Sequence, residues 1–226
     1  MERARTSPLL LGHRGARAVK SIPENTLASF DRALADGCDG FEFDVRLSGD
    51  GRAVVCHDPQ FEGVEIERGS GWLLAGLPVL KDVLTRYQER AFLDIELKVA
   101  GLEKITVELL KEYPGRRGVV VSSFLPEVLR DFRKLEAEIP LGLICETKAE
   151  LRRWSGLPVE YVIPHHKLAT ASVIRGLKAA GKKVVVWTVN DGEEMRRFVE
   201  DGVDGIISDD TSLLRRTVKS LNGPPG

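Results

Sequence analysis

Two segments of the chain alternate apolar and charged residues strictly, FEFDVRL at 41–47 and FLDIELKV at 92–99. Successive side chains of a strand point to opposite faces, so the charged residues of each segment share one face. They are Glu42, Asp44 and Arg46 in the first segment and Asp94, Glu96 and Lys98 in the second. Carboxylates facing the inside of a covered sheet are unstable unless a metal or a partner charge holds them. The alternation therefore predicts either structural ion pairs, such as Glu42 with Arg46 or Glu96 with Lys98, or a metal site.

Two such segments, rather than one, favour the metal site. Carboxylates gathered from two strands repel one another and raise one another's pKa, and a divalent cation removes that repulsion. Oxygen ligands without cysteine favour Mg²⁺, Ca²⁺ or Mn²⁺ over zinc. The sequence therefore predicts a divalent cation as cofactor.

Two histidines directly follow apolar segments, in His13-Arg14 and His57-Asp58. A lone histidine is more often a packed or surface residue than a catalyst, but a pair that titrates near neutral pH can supply a base and an acid. Arg14 offers a planar guanidinium for phosphate oxygens, and Lys98 offers a compact cation for the same charge. These residues predict acid/base chemistry on a phosphate ester.

Three further sites are ambiguous. Trp187 and Phe124 are most simply core residues, although both could line an apolar wall, and we include them as candidate substrate-binding residues. The run His165-His166-Lys167 is expected at the mouth of the site, with a structural role favoured.

The elements that must position these residues form a repeating strand-then-helix pattern. The predicted strands are 8–13, 40–47, 91–99, 118–123, 141–146, 161–165, 183–189 and 205–208. The predicted helices are 25–36, 79–90, 102–113, 126–136, 149–154, 171–180, 193–201 and 212–221. This pattern predicts an α/β fold of the TIM (β/α)8 barrel type, with active-site residues at the C-terminal ends of the strands. A doubly wound open sheet is the alternative, but the chain has no Gly-rich phosphate loop.

The expected organisation is one barrel domain over residues 1–226. A short insertion of about 59–78 lies between the second strand and its helix. Before it, the turn Asp50-Gly51 predicts a hairpin in which residues 52–57 fold back beside the second strand and bring His57 to the mouth.

Composition excludes several classes of protein. The 226 residues are 42% hydrophobic with a formal net charge of -1, so no basic excess suggests nucleic acid as a partner. The N-terminal three-leucine run is too short for a signal peptide core, and no apolar run is long enough to cross a membrane, so we expect a cytoplasmic location. Cys38, Cys56 and Cys145 lack metal-site spacing and are expected to be buried thiols.

The chain resembles the glycerophosphodiester phosphodiesterase family, in its compact cytosolic type, over nearly its whole length. The motifs that carry the resemblance are GHRG (12–15), IPENT (22–26), FEFDVRLSGDGRAVVCHD (41–58), DIELK (94–98), SSF (122–124), VVVWTVN (184–190) and GVDGIISDD (202–210). One departure is that Thr211 follows Asp210 where the family usually has a proline, which concerns the loop after the last strand.

The resemblance implies specific roles. It implies metal ligands Glu42, Asp44 and Glu96, an acid/base pair of His13 and His57, phosphate-binding residues Arg14 and Lys98, and supporting residues Glu24 and Asn25 at the first helix.

The resemblance also implies an activity, the hydrolysis of small glycerophosphodiesters such as glycerophosphocholine to glycerol 3-phosphate and an alcohol. Attack by the neighbouring 2-hydroxyl, through a cyclic phosphate, is favoured over direct attack by water because a nearby hydroxyl has a large proximity advantage. One alternative is a lysophospholipase D or phosphoinositide-type phospholipase, for which Trp72-Leu73-Leu74 is the only indication. The other is a non-catalytic barrel that binds phosphorylated ligands.

Overall fold

The computed structural model describes residues 7–221, in which parallel strands form a closed barrel. The strands, in chain order, are β1 (Leu9–His13), β2 (Gly40–Leu47), β3 (Ala53–Val55), β4 (Gln60–Phe61), β5 (Val64–Glu65), β6 (Phe92–Leu97), β7 (Val119–Ser123), β8 (Leu141–Cys145), β9 (Tyr161–Pro164), β10 (Lys183–Val186) and β11 (Gly205–Ser208). The barrel order is β1-β11-β10-β9-β8-β7-β6-β2, and pairing of β2 with β1 closes it. The predicted barrel is confirmed.

Helices follow the barrel strands and cover their outer side. They are α1 (Leu27–Ala35), α2 (Leu80–Tyr87), α3 (Glu103–Glu112), α4 (Pro126–Leu135), α5 (Lys148–Leu151), α6 (Ala171–Ala179), α7 (Gly192–Asp201) and α8 (Thr211–Leu221). Side-chain caps begin several of them, as where Thr26 accepts from the Ser29 N–H. The helix predicted at 149–154 is instead one capped turn, α5, followed by a 3-10 helix over Arg152–Gly156.

The alternation in β2 and β6 separates two apolar regions. The outward-facing residues pack under the helices, where the Phe30 and Phe41 rings stack with centroids 4.2 Å apart. A smaller cluster fills the barrel interior and includes Phe92, Ile144 and Ile163. The charged residues of the two segments share the interior face, so they lie above this inner cluster, toward the mouth.

The predicted hairpin is present, because β3 pairs antiparallel with β2. Arg46 Nε donates to the His57 carbonyl oxygen at 2.8 Å, which ties the end of the hairpin to β2. Beyond it, residues 59–78 contain the short β4–β5 hairpin and a 3-10 helix over Gly71–Leu74. Leu74 and Ile66 from this segment pack on Val54 of β3.

Within residues 7–221, none of the helices is both long and apolar enough to span a bilayer. All three cysteines are free; Cys38 and Cys145 are buried as predicted, whereas Cys56 is only partly buried.

Candidate active site

The carboxylates of β2 and β6 converge at the C-terminal end of the barrel. Glu42, Asp44 and Glu96 are all buried, and one oxygen from each lies within 4.8 Å of the others. Register brings them together, since Asp44 is directly opposite Glu96 in the parallel pairing of β2 with β6.

This cluster is electrostatically unfavourable by itself. Burial, together with the charge of Asp44, raises the pKa of Glu96 to about 7. Burial, together with the charges of Asp44 and Glu96, raises the pKa of Glu42 well above its usual range. The pKa of Asp44 is lowered, because Lys98 and Arg14 outweigh the effect of its burial.

The cluster fits a divalent cation. Glu42 Oε1 is buried without a hydrogen-bond partner, and a buried carboxylate oxygen of that kind normally has one. The donors are all oxygen, as Mg²⁺, Ca²⁺ and Mn²⁺ prefer. A bound cation would satisfy the orphaned oxygen and remove the repulsion.

His13 lies at the end of β1 beside this cluster. Its Nδ1 is 2.7 Å from Asp209 Oδ1, and its Nε2 is 3.9 Å from Glu42 Oε2. An ionised carboxylate only accepts hydrogen bonds, so Nδ1 carries a proton and Nε2 is the atom that can exchange one in the cleft. Burial would raise the pKa of Asp209, but the hydrogen bond to His13 and the neighbours Asn190 and Arg17 lower it to about 2.

The carboxylate beside His57 is more exposed than the one beside His13. Its Nδ1 is 2.7 Å from Asp58 Oδ1, and the Asp58 side chain is 76% exposed. Burial lowers the pKa of His57 despite the opposing effect of Asp58. Burial therefore favours the neutral form of the His57 imidazole.

Arg14 and Lys98 are the cations nearest the carboxylates. Lys98 Nζ is 2.7 Å from Glu96 Oε1 and 3.2 Å from Asp44 Oδ1. Arg14 adopts a positive φ of 50°, and its backbone N–H donates to Glu42 Oε2 at 3.1 Å. Its guanidinium lies 2.6 Å from Glu24 Oε1 and 3.3 Å from Asp44 Oδ2.

A tight turn and one amide support this arrangement. Gly12 and Gly15 frame the His13-Arg14 turn, and a Cβ on Gly15 would lie 2.3 Å from Ser29 Oγ. Asn25 donates its side-chain N–H to Asp44 Oδ2 at 2.8 Å. Asn25 is thus in direct contact with one carboxylate, while Glu24 bridges Arg14 and Arg17.

Of the ion pairs considered from the sequence, the Glu96–Lys98 pair is present, whereas Arg46 instead bonds to the hairpin. Asp94 lies one step deeper, accepts a hydrogen bond from Ser122 Oγ at 2.6 Å, and has its pKa raised to about 7 by burial.

A cleft of about 330 Å³ joins the charged cluster to an apolar wall. It is lined by both histidines, both cations and the carboxylates Glu42 and Glu96 on one side. The other side includes Phe124 and Trp187, whose ring centroids are 5.6 Å apart. His165 lies against Trp187, whereas His166 bonds to Glu194.

Sequence reasoning missed Asp209, Asn190 and Arg17 as members of the site. Asn190 Nδ2 donates to Asp209 Oδ2 at 2.7 Å, and Arg17 lies 3.4 Å from Asp209. The position of Asp209 in the chain could have revealed its role, because Asp209 directly follows β11, just as His13 is the last residue of β1.

Comparisons with known proteins show which family the chain matches. The model of the glycerophosphoryl diester phosphodiesterase family matches residues 13–83 and 82–213. A glycerophosphodiester phosphodiesterase of Caldanaerobacter subterraneus subsp. tengcongensis is 32% identical over 93% of this chain and 98% of its own.

Solved structures of phosphodiesterases superpose on this chain over nearly its whole length. A glycerophosphodiester phosphodiesterase of Thermotoga maritima superposes with a TM-score of 0.81 and 25% identity, covering 94% of this chain and 99% of the other. A phosphodiesterase of Oleispira antarctica, solved in complex with the product sn-glycerol-3-phosphate, gives a TM-score of 0.81 and 28% identity, covering 94% and 97%.

Proposed function

The chain belongs to the glycerophosphoryl diester phosphodiesterase family and is a phosphoric diester hydrolase, and from this we propose that it converts glycerophosphodiesters to glycerol 3-phosphate and an alcohol by metal-assisted acid/base catalysis. The observation that carries the proposal is the cleft itself. Two histidines supported by carboxylates face one cleft that also holds two cations and a buried carboxylate cluster. The product bound to the Oleispira antarctica relative supports the substrate class.

Charge determines how the substrate binds. A phosphodiester is a monoanion, and Arg14 and Lys98 supply positive charge for its oxygens. Glu42, Asp44 and Glu96 would hold the cation. When bound, the cation would act as a Lewis acid that stabilises charge on phosphate oxygens.

The histidine environments suggest their roles. The lowered pKa of His57 favours its neutral form, which suits the base that takes the proton from the attacking 2-hydroxyl of the glycerol. His13 is held by Asp209 through Nδ1, which leaves Nε2 toward the cleft, so His13 suits the acid that protonates the leaving alkoxide. The new P–O bond gives a cyclic phosphate as the bond to the alcohol breaks. Water then opens the ring with the roles of the two histidines reversed.

Hydrolysis of glycerophosphocholine by the wild type and His13→Ala, with and without EDTA, tests the proposal. We expect EDTA to abolish activity and the substitution to lower kcat by roughly 10²- to 10⁴-fold, the usual contribution of a general acid or base. His166→Ala is the matched control, because His166 bonds to Glu194 away from the cleft. A non-catalytic binding barrel is indicated if the wild type turns over no diester, and activity that survives both treatments contradicts the mechanism.

One observation favours a lipid substrate as the second candidate. Trp72, on the 3-10 helix of the insertion, is 81% exposed, and an exposed aromatic residue can enter a lipid surface. Turnover of lysophosphatidylcholine, compared with that of glycerophosphocholine, distinguishes the two. Preference for the lipid would favour a lysophospholipase D. The cytoplasmic location expected from the sequence stays a prediction.

A further inference from the structure

The end of β8 brings one more carboxylate to the cleft. Glu146 directly follows β8 and lines the cleft. In the barrel order, β8 stands four strands from β1 in either direction, so Glu146 lies across the mouth from His13. It is therefore separate from the carboxylate cluster of β2 and β6.

Among residues 7–221, no Lys, Arg or His side chain forms an ion pair with the exposed Glu146 carboxylate. Its backbone N–H donates to Glu150 Oε2 at 2.8 Å, which fixes the backbone without engaging the side chain. Burial and the neighbouring His166 lower the pKa of His165, although Glu146 acts to raise it, so the protonated form of His165 that could pair with Glu146 is disfavoured. The negative charge of Glu146 is thus left for a ligand in the cleft.

Aromatic rings connect Glu146's side of the cleft to the phosphate-binding side. Phe124, after β7, and Trp187, after β10, meet edge to face with an interplanar angle of 83°. The indole N–H of Trp187 donates to the Ile163 carbonyl oxygen at 3.0 Å, which holds the ring in place. Lys98 Nζ is 5.8 Å from the centroid of the Phe124 ring. A group attached to a phosphate at Lys98 is therefore within reach of these rings.

We propose that Glu146, together with the rings of Phe124 and Trp187, forms a subsite for a positively charged alcohol, so that the enzyme prefers diesters whose alcohol carries an ammonium group. This proposal rests on the proposed function. A carboxylate attracts an ammonium group, and aromatic faces bind quaternary ammonium through cation–π interactions. The charge of Glu146 gives no such advantage to a neutral alcohol of the same shape.

The test compares two diesters that differ only in charge. They are glycerophosphocholine and its neutral isostere, the glycerophosphodiester of 3,3-dimethylbutanol, in which carbon replaces nitrogen. The measured quantity is the ratio of kcat/KM for the two, at constant ionic strength. We expect the wild type to favour the choline diester and Glu146→Gln to lower the ratio roughly two- to fivefold, as for one partly exposed charge pair. Glu112→Gln is the matched control, because Glu112 ends α3 at the opposite end of the barrel.

The outcomes separate this proposal from the one on which it rests. A wild-type ratio near one, or a ratio that Glu146→Gln leaves unchanged, overturns the subsite while the hydrolase function stands. An equal loss of kcat/KM on both diesters also overturns the subsite, since Glu146 then contacts a feature that the two diesters share, such as the glycerol hydroxyls. If the wild type hydrolyses neither diester, the proposed function fails and the subsite fails with it. Thermal melting of Glu146→Gln verifies that the variant is folded.

Discussion

At the residue scale, the two histidines of the cleft differ in their supports. The partner of His13 is largely buried and held by Asn190 and Arg17, while the partner of His57 is mostly exposed. A fixed carboxylate maintains the tautomer of a histidine and stabilises its protonated form. We therefore expect the two histidines to respond differently when the carboxylate beside each of them is removed.

Asp209→Asn should lower kcat roughly ten- to a thousandfold with little change in KM, because the amide holds neither the tautomer nor the charge of His13. Steady-state kinetics on glycerophosphocholine measure this. Asp131→Asn, on the exposed face of α4, is the control and should behave as wild type. An unchanged kcat would show that Asp209 does not position His13.

With the cation saturating, so that protonation of Glu96 does not limit activity, the acid limb of the kcat/KM profile should have its midpoint below pH 6.5. A base must be unprotonated, and burial lowers the pKa of His57, so activity persists to lower pH than an unperturbed histidine allows. Asp58 opposes that shift, so Asp58→Asn should move the limb to still lower pH. A limb above pH 6.5, or one that moves upward in the variant, contradicts this assignment of the base.

At the element scale, the hairpin that carries His57 depends on β2. Arg46 lies at the end of β2 and bonds to the backbone of His57. Arg46→Met keeps the apolar stem but removes this bond, so unfolding should become easier by about 1 kcal/mol. We expect kcat to fall by more than the loss of stability explains, because His57 is displaced. Arg46→Lys should restore part of kcat. Chemical denaturation and kinetics on the same samples measure both, and a normal kcat in Arg46→Met would contradict the positioning role.

The alternation in β2 and β6 was sufficient to predict which side chains enter the barrel. Glu42, Asp44 and Glu96 face inward as expected, since a period of two leaves only one choice of face once the phenylalanines are buried under helices. The ladder predicted to reach Val189 stops at Val186. Pro164 ends the neighbouring strand and has no N–H to donate to β10, so only a single bridge, between His165 and Trp187, continues the pairing beyond it.

The pairing of His13 with Asp209 could not be predicted in the same way. The two residues are 196 positions apart, and no local pattern links them. They meet only because closure of the barrel places β11 beside β1. Local periodicity therefore predicts the face of a residue, while its neighbours depend on the order of the strands.

At the scale of the whole molecule, the carboxylate cluster should link stability to metal binding. In the metal-free protein, the raised pKa values of Glu96 and Asp94, about 7 each, make the contribution of these groups to the free energy of unfolding fall as pH rises from about 4 to about 7. A cation bound by the folded state alone should stabilise it by about 2.7 kcal/mol at a hundred times its Kd. For a chain of this size, that corresponds to about 5–10 °C in Tm.

We therefore expect Mg²⁺, Ca²⁺ or Mn²⁺ to raise Tm, and to do so more at pH 8 than at pH 5, where protons compete for the carboxylates. Glu42→Gln should reduce or abolish the shift while leaving the metal-free protein at least as stable as the wild type, because a buried charge is removed. Glu112→Gln should retain the full shift. Differential scanning fluorimetry measures all of these, and a shift that survives in Glu42→Gln would place the cation elsewhere.

The contact between β1 and β11 also has a consequence during protein synthesis. The ribosome makes His13 well before Asp209, which follows 196 positions later in the chain. Until that last strand docks, His13 lacks the carboxylate that holds its ring, and the barrel beside it is open. A nascent chain that has not yet made β11 therefore contains His13 and the carboxylates of β2 and β6, but lacks the partner that holds the His13 ring.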